Sequence, residues 1–289
     1  MNNKNIHYSF NRVLSYSEAM LYFIIGERGV GKTYGATKYV ANRFLKKNKQ
    51  FVYLRRYKTE LKTSVPKFWD AIKSNNEFPG QKLEVKGNNF YINNKICGYA
   101  IPLSTANILK STTFDNVDTI IFDEFILDKG NYHYLQNEVE KLLDIIETIG
   151  RLRDIKILFL GNAISVTNPY FLYFDLRLPY KSDIAKFKNG LIIVNYIKNE
   201  NYRNLKKQTK FGRLIEGTDY GRYAIDNEFL RDNTSFIEKK DKKAKFIFII
   251  YLNHKKYGIW LNNENMFISE QIDPNCPIII TFNTNDHSN

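Results

Sequence analysis

The sequence predicts an α/β fold built around a parallel sheet. Several short apolar runs are continuous, which is typical of strands buried on both faces. The clearest runs are residues 19–25, 119–122 and 155–160. A glycine-rich loop follows the first run, and Ala36, Val40 and Phe44 then recur every four residues, as on one face of a helix. Strand, loop and helix in this order begin a wound β-α-β unit.

Further elements extend this core. Residues 51–54 form the next predicted strand, and residues 82–101 break into short alternating pieces that predict an antiparallel β insertion. Apolar positions keep a helical period through residues 135–149 and stop at Gly150. The run 191–194 supplies a last predicted strand of the core.

The composition changes after this core. Residues 196–245 are polar and end in a lysine-rich run, which is typical of a connecting segment. Short apolar runs within residues 246–289 then predict a small β-rich unit, too short to be a sure independent domain. We therefore predict a core domain over residues 1–195, a linker over residues 196–245 and a small C-terminal β unit over residues 246–289.

The charge balance points to a polyanionic partner. The chain has 43 Lys and Arg against 30 Asp and Glu, a formal net charge of +13. Nucleic acid is the first candidate and an anionic membrane surface is the alternative. No apolar run approaches the roughly 20 residues that a bilayer span needs, so we expect no membrane partner. The 2 cysteines are far apart in sequence, which argues against a disulfide-rich class.

The glycine-rich loop carries the strongest motif. It reads G-x-x-x-x-G-K-T, the phosphate-binding P-loop, in which backbone N–H groups and the following helix N-terminus converge on phosphate oxygens. Lys32 adds charge at the β and γ phosphates, and Thr33 offers a hydroxyl to Mg²⁺, so we predict ATP and Mg²⁺ as ligands. A glycine-rich turn without nucleotide is the alternative. The predicted nucleotide-binding residues are Gly26, Glu27, Arg28, Gly29, Val30, Gly31, Lys32, Thr33 and Tyr34.

Two adjacent carboxylates end a second apolar strand. Asp123 directly follows the strand run at residues 119–122, the position from which a carboxylate joins Thr33 in the Mg²⁺ shell. Glu124 is suited to orient and deprotonate the attacking water. The alternative is that Glu124 is a solvated carboxylate at a strand end. The doublet favours an enzyme that turns over ATP, within a P-loop NTPase fold of the ASCE type.

Two further positions are candidates for catalysis. Asn162 lies at the tip of the strand after the long helix, where it would sense the γ phosphate or hold the water. A strand-ending Asn in a turn is the alternative. Arg151, with Arg153 nearby, follows the helix and would stabilise the transferring phosphoryl group across a subunit boundary. The alternative is a surface arginine at a helix C-terminus.

A basic segment follows the P-loop helix. Residues 43–62 contain eight Lys or Arg and one acid, which gives +7 of the +13 charge, with aromatic residues interleaved. Such a segment can bind a phosphate backbone without reading sequence, and we name Arg55, Arg56 and Lys58 as the predicted DNA contacts. The alternative is a solvated charged face.

Several motifs together resemble one family, the DNA packaging (encapsidation) ATPases of small short-tailed bacteriophages with protein-primed linear genomes. The resemblance spans most of the chain. Its motifs are Leu14-Ser15-Tyr16, the loop at residues 26–34, Tyr53-Leu54-Arg55-Arg56-Tyr57, Pro102-Leu103-Ser104, Phe122-Asp123-Glu124-Phe125, Asn168-Pro169-Tyr170-Phe171 and Phe211-Gly212-Arg213-Leu214-Ile215.

The resemblance implies a homomeric ring, typically of five subunits, that drives double-stranded DNA into a prohead at the portal, in some members through a packaging RNA. It implies that Arg151 acts in trans and that Lys110 is a second interfacial cation. It also implies a protein of the host cytoplasm that visits the portal transiently and is not expected in the mature virion. The unit after residue 245 departs from the family's vestigial nuclease-like domain, because it is short and lacks clustered carboxylates.

Two other function classes stay open on the sequence alone. A helicase acting on single strands would share the ATP site, although no helicase signature accompanies the two nucleotide motifs. A nucleotide-gated scaffold would bind DNA or a membrane partner without sustained turnover. The doublet Asp123-Glu124 argues against this scaffold, since a gate need not position water.

Overall fold

The computed structural model describes residues 8–105, 113–127, 133–163, 168–179, 182–218, 220–221, 240, 242–252, 255–262 and 266–281. The chain divides into two compact units, residues 1–232 and residues 233–289. Each unit contains a sheet of its own. Strands and helices are labelled below in chain order.

The first unit is an α/β domain. Its described strands are β1 Leu21–Gly26, β2 Gln50–Arg55, β3 Leu83–Lys86, β4 Asn89–Ile92, β5 Lys95–Pro102, β6 Val117–Asp123, β7 Lys156–Asn162, β8 Ile184–Phe187 and β9 Ile192–Tyr196. Its described helices are α1 Asn11–Leu14, α2 Lys32–Lys47, α3 Lys58–Ser64, α4 Asp70–Ser74, α5 Glu138–Gly150, α6 Pro169–Phe174, α7 Glu200–Gln208 and α8 Lys210–Ile215.

The strands form a sheet in the order β3-β4-β5-β2-β6-β7-β1-β9-β8. The six central strands pair in parallel, in the order β5-β2-β6-β7-β1-β9. Antiparallel pairs occur at both edges, within β3-β4-β5 and between β8 and β9. The predicted α/β class and the antiparallel insertion are confirmed, and the insertion extends the main sheet.

The strand order brings three strand ends together. β7 lies between β1 and β6, with Gly26 opposite Asn162 and Asp123 opposite Leu160. β2 pairs with the other side of β6. Because the carboxyl ends of neighbouring parallel strands meet at one edge, the P-loop, the acidic doublet and the end of β2 lie side by side.

Alternate residues of the central strands pack on opposite faces, which makes two apolar layers. One face buries Phe23 and Phe159, stacked with ring centroids 4.1 Å apart, against α5 and α6. The other face buries Tyr22, Phe51 and Tyr53 against α2, α3 and α4. Continuous apolar runs in the sequence therefore reflect burial on both faces.

Seven described strands and helices of the first unit were not predicted: α1, α3, α4, α6, β8, α7 and α8. The last two lie in the segment predicted as a linker, and α8 is preceded by Thr209, whose hydroxyl accepts from the backbone N–H of Gly212 at 2.9 Å. Both helices are short, and α7 is largely polar, so they carry little apolar periodicity. The domain boundaries predicted at residues 195 and 245 stay predictions.

The second unit contains a four-stranded sheet in the order β12-β11-β10-β13. Its strands are β10 Lys245–Leu252, β11 Lys255–Leu261, β12 Met266–Ser269 and β13 Ile279–Thr281. The ammonium of Lys240 lies 3.8 Å from the centroid of the Trp260 ring. In the part of the chain that the structure describes, no helix has the length and apolar character of a bilayer span.

Candidate active site

The P-loop connects the end of β1 to the start of α2. Gly29 and Gly31 have φ angles of 87° and 93°, a left-handed conformation that favours glycine. Ile197 packs closely against Gly26, since a Cβ placed at Gly26 would lie 2.6 Å from Cβ of Ile197. The three glycines therefore meet backbone requirements of the loop, and the loop curves around a cavity that the next strands complete.

Lys32 lies almost fully buried at the centre of this loop, with 7% of its surface exposed. Its Nζ donates to the backbone oxygens of Gly26 and Glu27 at 3.0 and 2.7 Å. It also donates to Oδ1 of Asn162 at 3.1 Å. Burial lowers the pKa of the Lys32 ammonium to about 8, against the opposing effect of nearby carboxylates, chiefly Asp123.

Thr33 and Asp123 lie together beside Lys32. The Thr33 hydroxyl is 3.2 and 3.3 Å from the two carboxylate oxygens of Asp123, and the Tyr53 hydroxyl donates to Oδ2 at 3.1 Å. Burial raises the pKa of Asp123, an effect that the nearby Arg55 guanidinium opposes. A hydroxyl and a carboxylate are hard oxygen donors that fit Mg²⁺. These two side chains would hold the ion together with nucleotide phosphates.

Glu124 follows Asp123 in a left-handed conformation, with φ of 57°. Its carboxylate is 59% exposed, and Oε2 accepts from Nη2 of Arg55 at 2.6 Å. Arg55 is buried and also lies 3.3 Å from Glu60 and 3.6 Å from Asp123. A left-handed backbone at a non-glycine residue is uncommon and clusters at functional sites. Through its hydrogen bond to Oε2, Arg55 holds Glu124 at the mouth of the cavity.

Arg56 lies in a different buried network. Both members of its ion pair with Glu138 have fully buried side chains, and Nε and Nη2 donate at 2.7 and 2.8 Å. Nη2 also donates to the backbone oxygen of Phe125 at 2.7 Å, and the Tyr170 hydroxyl donates to Glu138 at 2.7 Å. The network fixes the chain after Glu124 to the first turn of α5.

The placement of these arginines corrects the predicted DNA contacts. Arg55 and Arg56 are 8% and 1% exposed, and their guanidinium groups bind carboxylates inside the domain. Neither has a surface to offer to a phosphate backbone. Lys58 is exposed at the first position of α3, and its DNA contact stays a prediction.

Asn162 lies at the cavity, beside the end of β1. Its Oδ1 accepts from Lys32, so its amide faces the position where phosphates would bind. The cavity has a volume of about 230 Å³. It is lined by Arg28, Gly29, Gly31, Lys32, Thr33, Tyr34, Asp123, Glu124, Leu160, Gly161 and Asn162.

The predicted interfacial cations lie elsewhere. Arg151 is exposed just beyond the C-terminus of α5, with φ of 51°, and does not line the cavity of its own subunit. Arg153 donates to the backbone oxygens of Phe114 and Val117 at 2.8 and 3.0 Å, so it joins α5 to the start of β6. Lys110 lies outside the described residues.

Helix α7 contains contacts that the sequence did not indicate. The Tyr202 hydroxyl donates to the backbone oxygen of Arg28 at 3.2 Å, and a Cβ at Gly29 would lie 2.4 Å from that hydroxyl. Arg203 donates to the buried carboxylate of Glu27 at 3.2 Å. Burial raises the pKa of Glu27, and Arg203 opposes that rise. α7 therefore packs directly on the P-loop.

The hydrogen bond from Tyr53 to Asp123 is a second contact that was not predicted. A signal was present, because a tyrosine inside a buried strand needs a partner for its hydroxyl. For α7 the one local signal was Asn199, whose side chain caps the helix by accepting from the backbone N–H of Tyr202 at 2.9 Å. Neither signal names the partner across the fold.

The fold and the site define a P-loop ATPase of the ASCE class. A parallel strand, β7, separates the P-loop strand from the strand that ends in the acidic doublet. A lysine, a threonine, an aspartate, a glutamate and a polar strand-tip residue meet around one cavity.

Within this class the chain belongs to the Podovirus DNA encapsidation protein (Gp16) family, which it matches over residues 2–289. It is 41% identical over 286 residues to the DNA packaging protein of Bacillus phage phi29, covering 98% of this chain and 84% of that protein. The resemblance found in the sequence is confirmed.

Solved structures agree with this assignment. The crystal structure of the N-terminal domain of the DNA packaging ATPase from bacteriophage phi29 is 40% identical, with a TM-score of 0.62, and covers 68% of this chain and 100% of that chain. The bacteriophage Phi-29 viral genome packaging motor assembly is 38% identical, with a TM-score of 0.70, and covers 99% of this chain and 86% of that chain.

Proposed function

We propose that this protein hydrolyses ATP with Mg²⁺ to drive double-stranded DNA into a viral prohead. The observation that carries the proposal is the convergence of Lys32, Asp123 and Glu124 on one cavity, in a chain of the DNA encapsidation family. It works as a homomeric ring, most simply a pentamer, docked at the portal. It belongs to the host cytoplasm and is absent from the mature virion.

Each residue has a defined task in the reaction. Loop N–H groups and Lys32 bind the β and γ phosphates, and Thr33 and Asp123 hold Mg²⁺. The ion, when bound, neutralises negative charge on the phosphate oxygens. Glu124 takes a proton from the attacking water through Oε1, which has no partner among the described residues. The water oxygen bonds to the γ phosphorus as the bond to the ADP oxygen breaks.

Arg55 and Asn162 support this geometry. Arg55 binds Oε2 of Glu124 and thereby orients Oε1. Oδ1 of Asn162 accepts a hydrogen bond from Lys32, which places the amide on the side of the cavity proposed for the γ phosphate. Both contacts are made by residues at strand ends, which are rigid positions for a catalytic group.

A pair of substitutions tests the assignment of these tasks. Lys32→Ala should lose ATP affinity and turnover together, whereas Glu124→Gln should bind ATP and lose hydrolysis. Lys73→Ala and Glu140→Gln make the same changes at exposed sites on α4 and α5, and serve as controls. Near-normal hydrolysis by Glu124→Gln would remove Glu124 as the base.

ATPase rates with different polymers test the substrate. We expect linear duplex DNA to stimulate hydrolysis by assembled rings more than single-stranded DNA, RNA or no polymer. Greater stimulation by single strands would indicate a helicase. Nucleotide binding with no turnover under any of these conditions would indicate a scaffold.

Arg151 is proposed to complete the site of the neighbouring subunit. Its exposed position at the end of α5 supports this role. Arg151→Ala should lower turnover by about 10³ to 10⁵ while ATP still binds. Mixed rings of Arg151→Ala and Glu124→Gln subunits should regain activity, because some interfaces then combine an intact Glu124 with an intact arginine. Activity that stays at background in mixed rings would place Arg151 in cis.

A further inference from the structure

Tyr53 directs a fixed hydroxyl at the carboxylate of Asp123. The Tyr53 side chain is 2% exposed, and its ring packs edge-on against Phe68 and Phe90 at 5.0 and 6.1 Å between centroids. The hydroxyl donates to Oδ2 of Asp123 at 3.1 Å. Packing against these two rings restricts the rotation of the Tyr53 side chain, so the direction of this hydrogen bond is set by the core.

The two oxygens of Asp123 have different surroundings. Tyr53 and Arg55 approach Oδ2, at 3.1 and 3.6 Å. The closest contact of Thr33 is with Oδ1, at 3.2 Å, and no other side chain of the described residues bonds that oxygen. Thr33 is also 3.3 Å from Oδ2, so the difference between the oxygens lies in their other partners. Oδ2 is additionally approached by Tyr53 and Arg55, whereas Oδ1 keeps only the Thr33 hydroxyl beside the nucleotide cavity.

We propose that Tyr53 is a positioning residue, which orients Asp123 so that Oδ1 and the Thr33 hydroxyl receive Mg²⁺ together. The inference rests on the Mg²⁺-dependent ATP hydrolysis proposed above. A neutral phenol is suited to this task, because it orients the carboxylate without adding positive charge beside the cation. Arg55 contacts the same oxygen, but its charge opposes a cation at Asp123.

The test separates metal binding from nucleotide binding. Tyr53→Phe keeps the ring and removes one oxygen. We expect its affinity for a fluorescent ADP without metal to stay within about twofold of wild type. The Mg²⁺ gain, which is the factor by which Mg²⁺ increases ADP affinity, should fall about tenfold, as for a lost hydrogen bond to a charged group. Mn²⁺ binding to the ADP complex, followed by electron paramagnetic resonance, should weaken equally.

Tyr22→Phe is the matched control. It removes a phenol hydroxyl from β1 in the same sheet, where that hydroxyl donates to the backbone oxygen of Tyr16 at 2.7 Å, at the opposite end from the P-loop. Its Mg²⁺ gain should equal that of wild type. Thermal unfolding of each variant verifies that the fold is kept.

A double-mutant cycle tests whether Tyr53 affects metal affinity through Asp123. If Tyr53 acts through Asp123, then Tyr53→Phe should cause no further loss of Mn²⁺ affinity in an Asp123→Asn background. An unchanged Mg²⁺ gain in Tyr53→Phe, or an equal loss of metal-free ADP affinity, would overturn the inference. Wild-type protein that binds ADP with no Mg²⁺ gain would instead overturn the proposed metal-dependent function.

Discussion

Lys32 should take up a proton when a nucleotide binds at alkaline pH. Burial lowers the pKa of its ammonium to about 8, so the charged form is penalised in the folded protein. Its hydrogen bonds go to neutral oxygens of the loop and of Asn162. Phosphates beside the ammonium favour its charged form, and the pKa of Lys32 must then rise towards the ordinary lysine value.

The size of the effect follows from this pKa of about 8. Lys32 is then about 90% protonated at pH 7, about 25% at pH 8.5 and about 3% at pH 9.5 in the free protein. A bound nucleotide that restores the ordinary value of about 10.4 makes the lysine almost fully protonated at pH 8.5. Binding should take up about three quarters of a proton there, and affinity should fall about sevenfold between pH 8.5 and pH 9.5.

Calorimetry measures this proton directly. ADP is titrated without metal at pH 8.5 in two buffers of different ionisation enthalpy, and the difference in binding enthalpy gives the protons taken up. The nucleotide contributes little, since phosphate groups have their last pKa near about 6. Lys32→Met should bind weakly and take up none, whereas Lys73→Met, an exposed control, should behave as wild type. No uptake in wild type, or equal uptake in Lys32→Met, would refute the reasoning.

Three further changes have defined outcomes. Arg55→Met should keep ADP binding and lower turnover at least about tenfold in an ATPase assay, because Glu124, the proposed base, loses the hydrogen bond that orients it. Arg203→Met should lower the free energy of unfolding by roughly 1 to 3 kcal/mol in urea titrations, since it removes the ion-pair partner of the buried Glu27. Acidification should recover part of this loss by protonating Glu27, whose pKa is already raised by burial. Lys58→Ala with Lys62→Ala should flatten the salt dependence of duplex affinity by up to about two in log-log slope, and an unchanged slope would contradict a DNA contact there.

Much of the candidate site was predictable because its residues lie in short, local patterns. The P-loop is contiguous, and Asp123 directly follows an apolar strand, so each residue's position follows from its own segment. The contact between the two segments needed only the usual arrangement of parallel strand ends at one edge of a sheet. The structure brings Lys32, Thr33 and Asp123 together as this reasoning requires.

The contacts of α7 were not predictable in this way. Residues 200–208 are polar and contain few apolar positions, which in isolation indicates a solvated segment. In the fold, Arg203 of this segment forms an ion pair with the buried Glu27 of the P-loop. Local composition reports how polar a side chain is, but not whether a charge of opposite sign lies across the fold.

The failure at Arg55 and Arg56 has a geometric cause. Successive side chains of a strand point to opposite faces, so two adjacent arginines at the end of β2 cannot share one surface patch. Tyr53 and Arg55 lie two residues apart and both reach Asp123 on one side of the sheet. Arg56 continues the opposite side and pairs with Glu138 at the start of α5. Because β2 lies next to β6, Arg55 meets the acidic doublet Asp123-Glu124 at the end of β6. Arg56 instead meets its carboxylate on α5. Counting basic residues along a segment therefore overestimates the charge available to DNA wherever the segment enters the sheet.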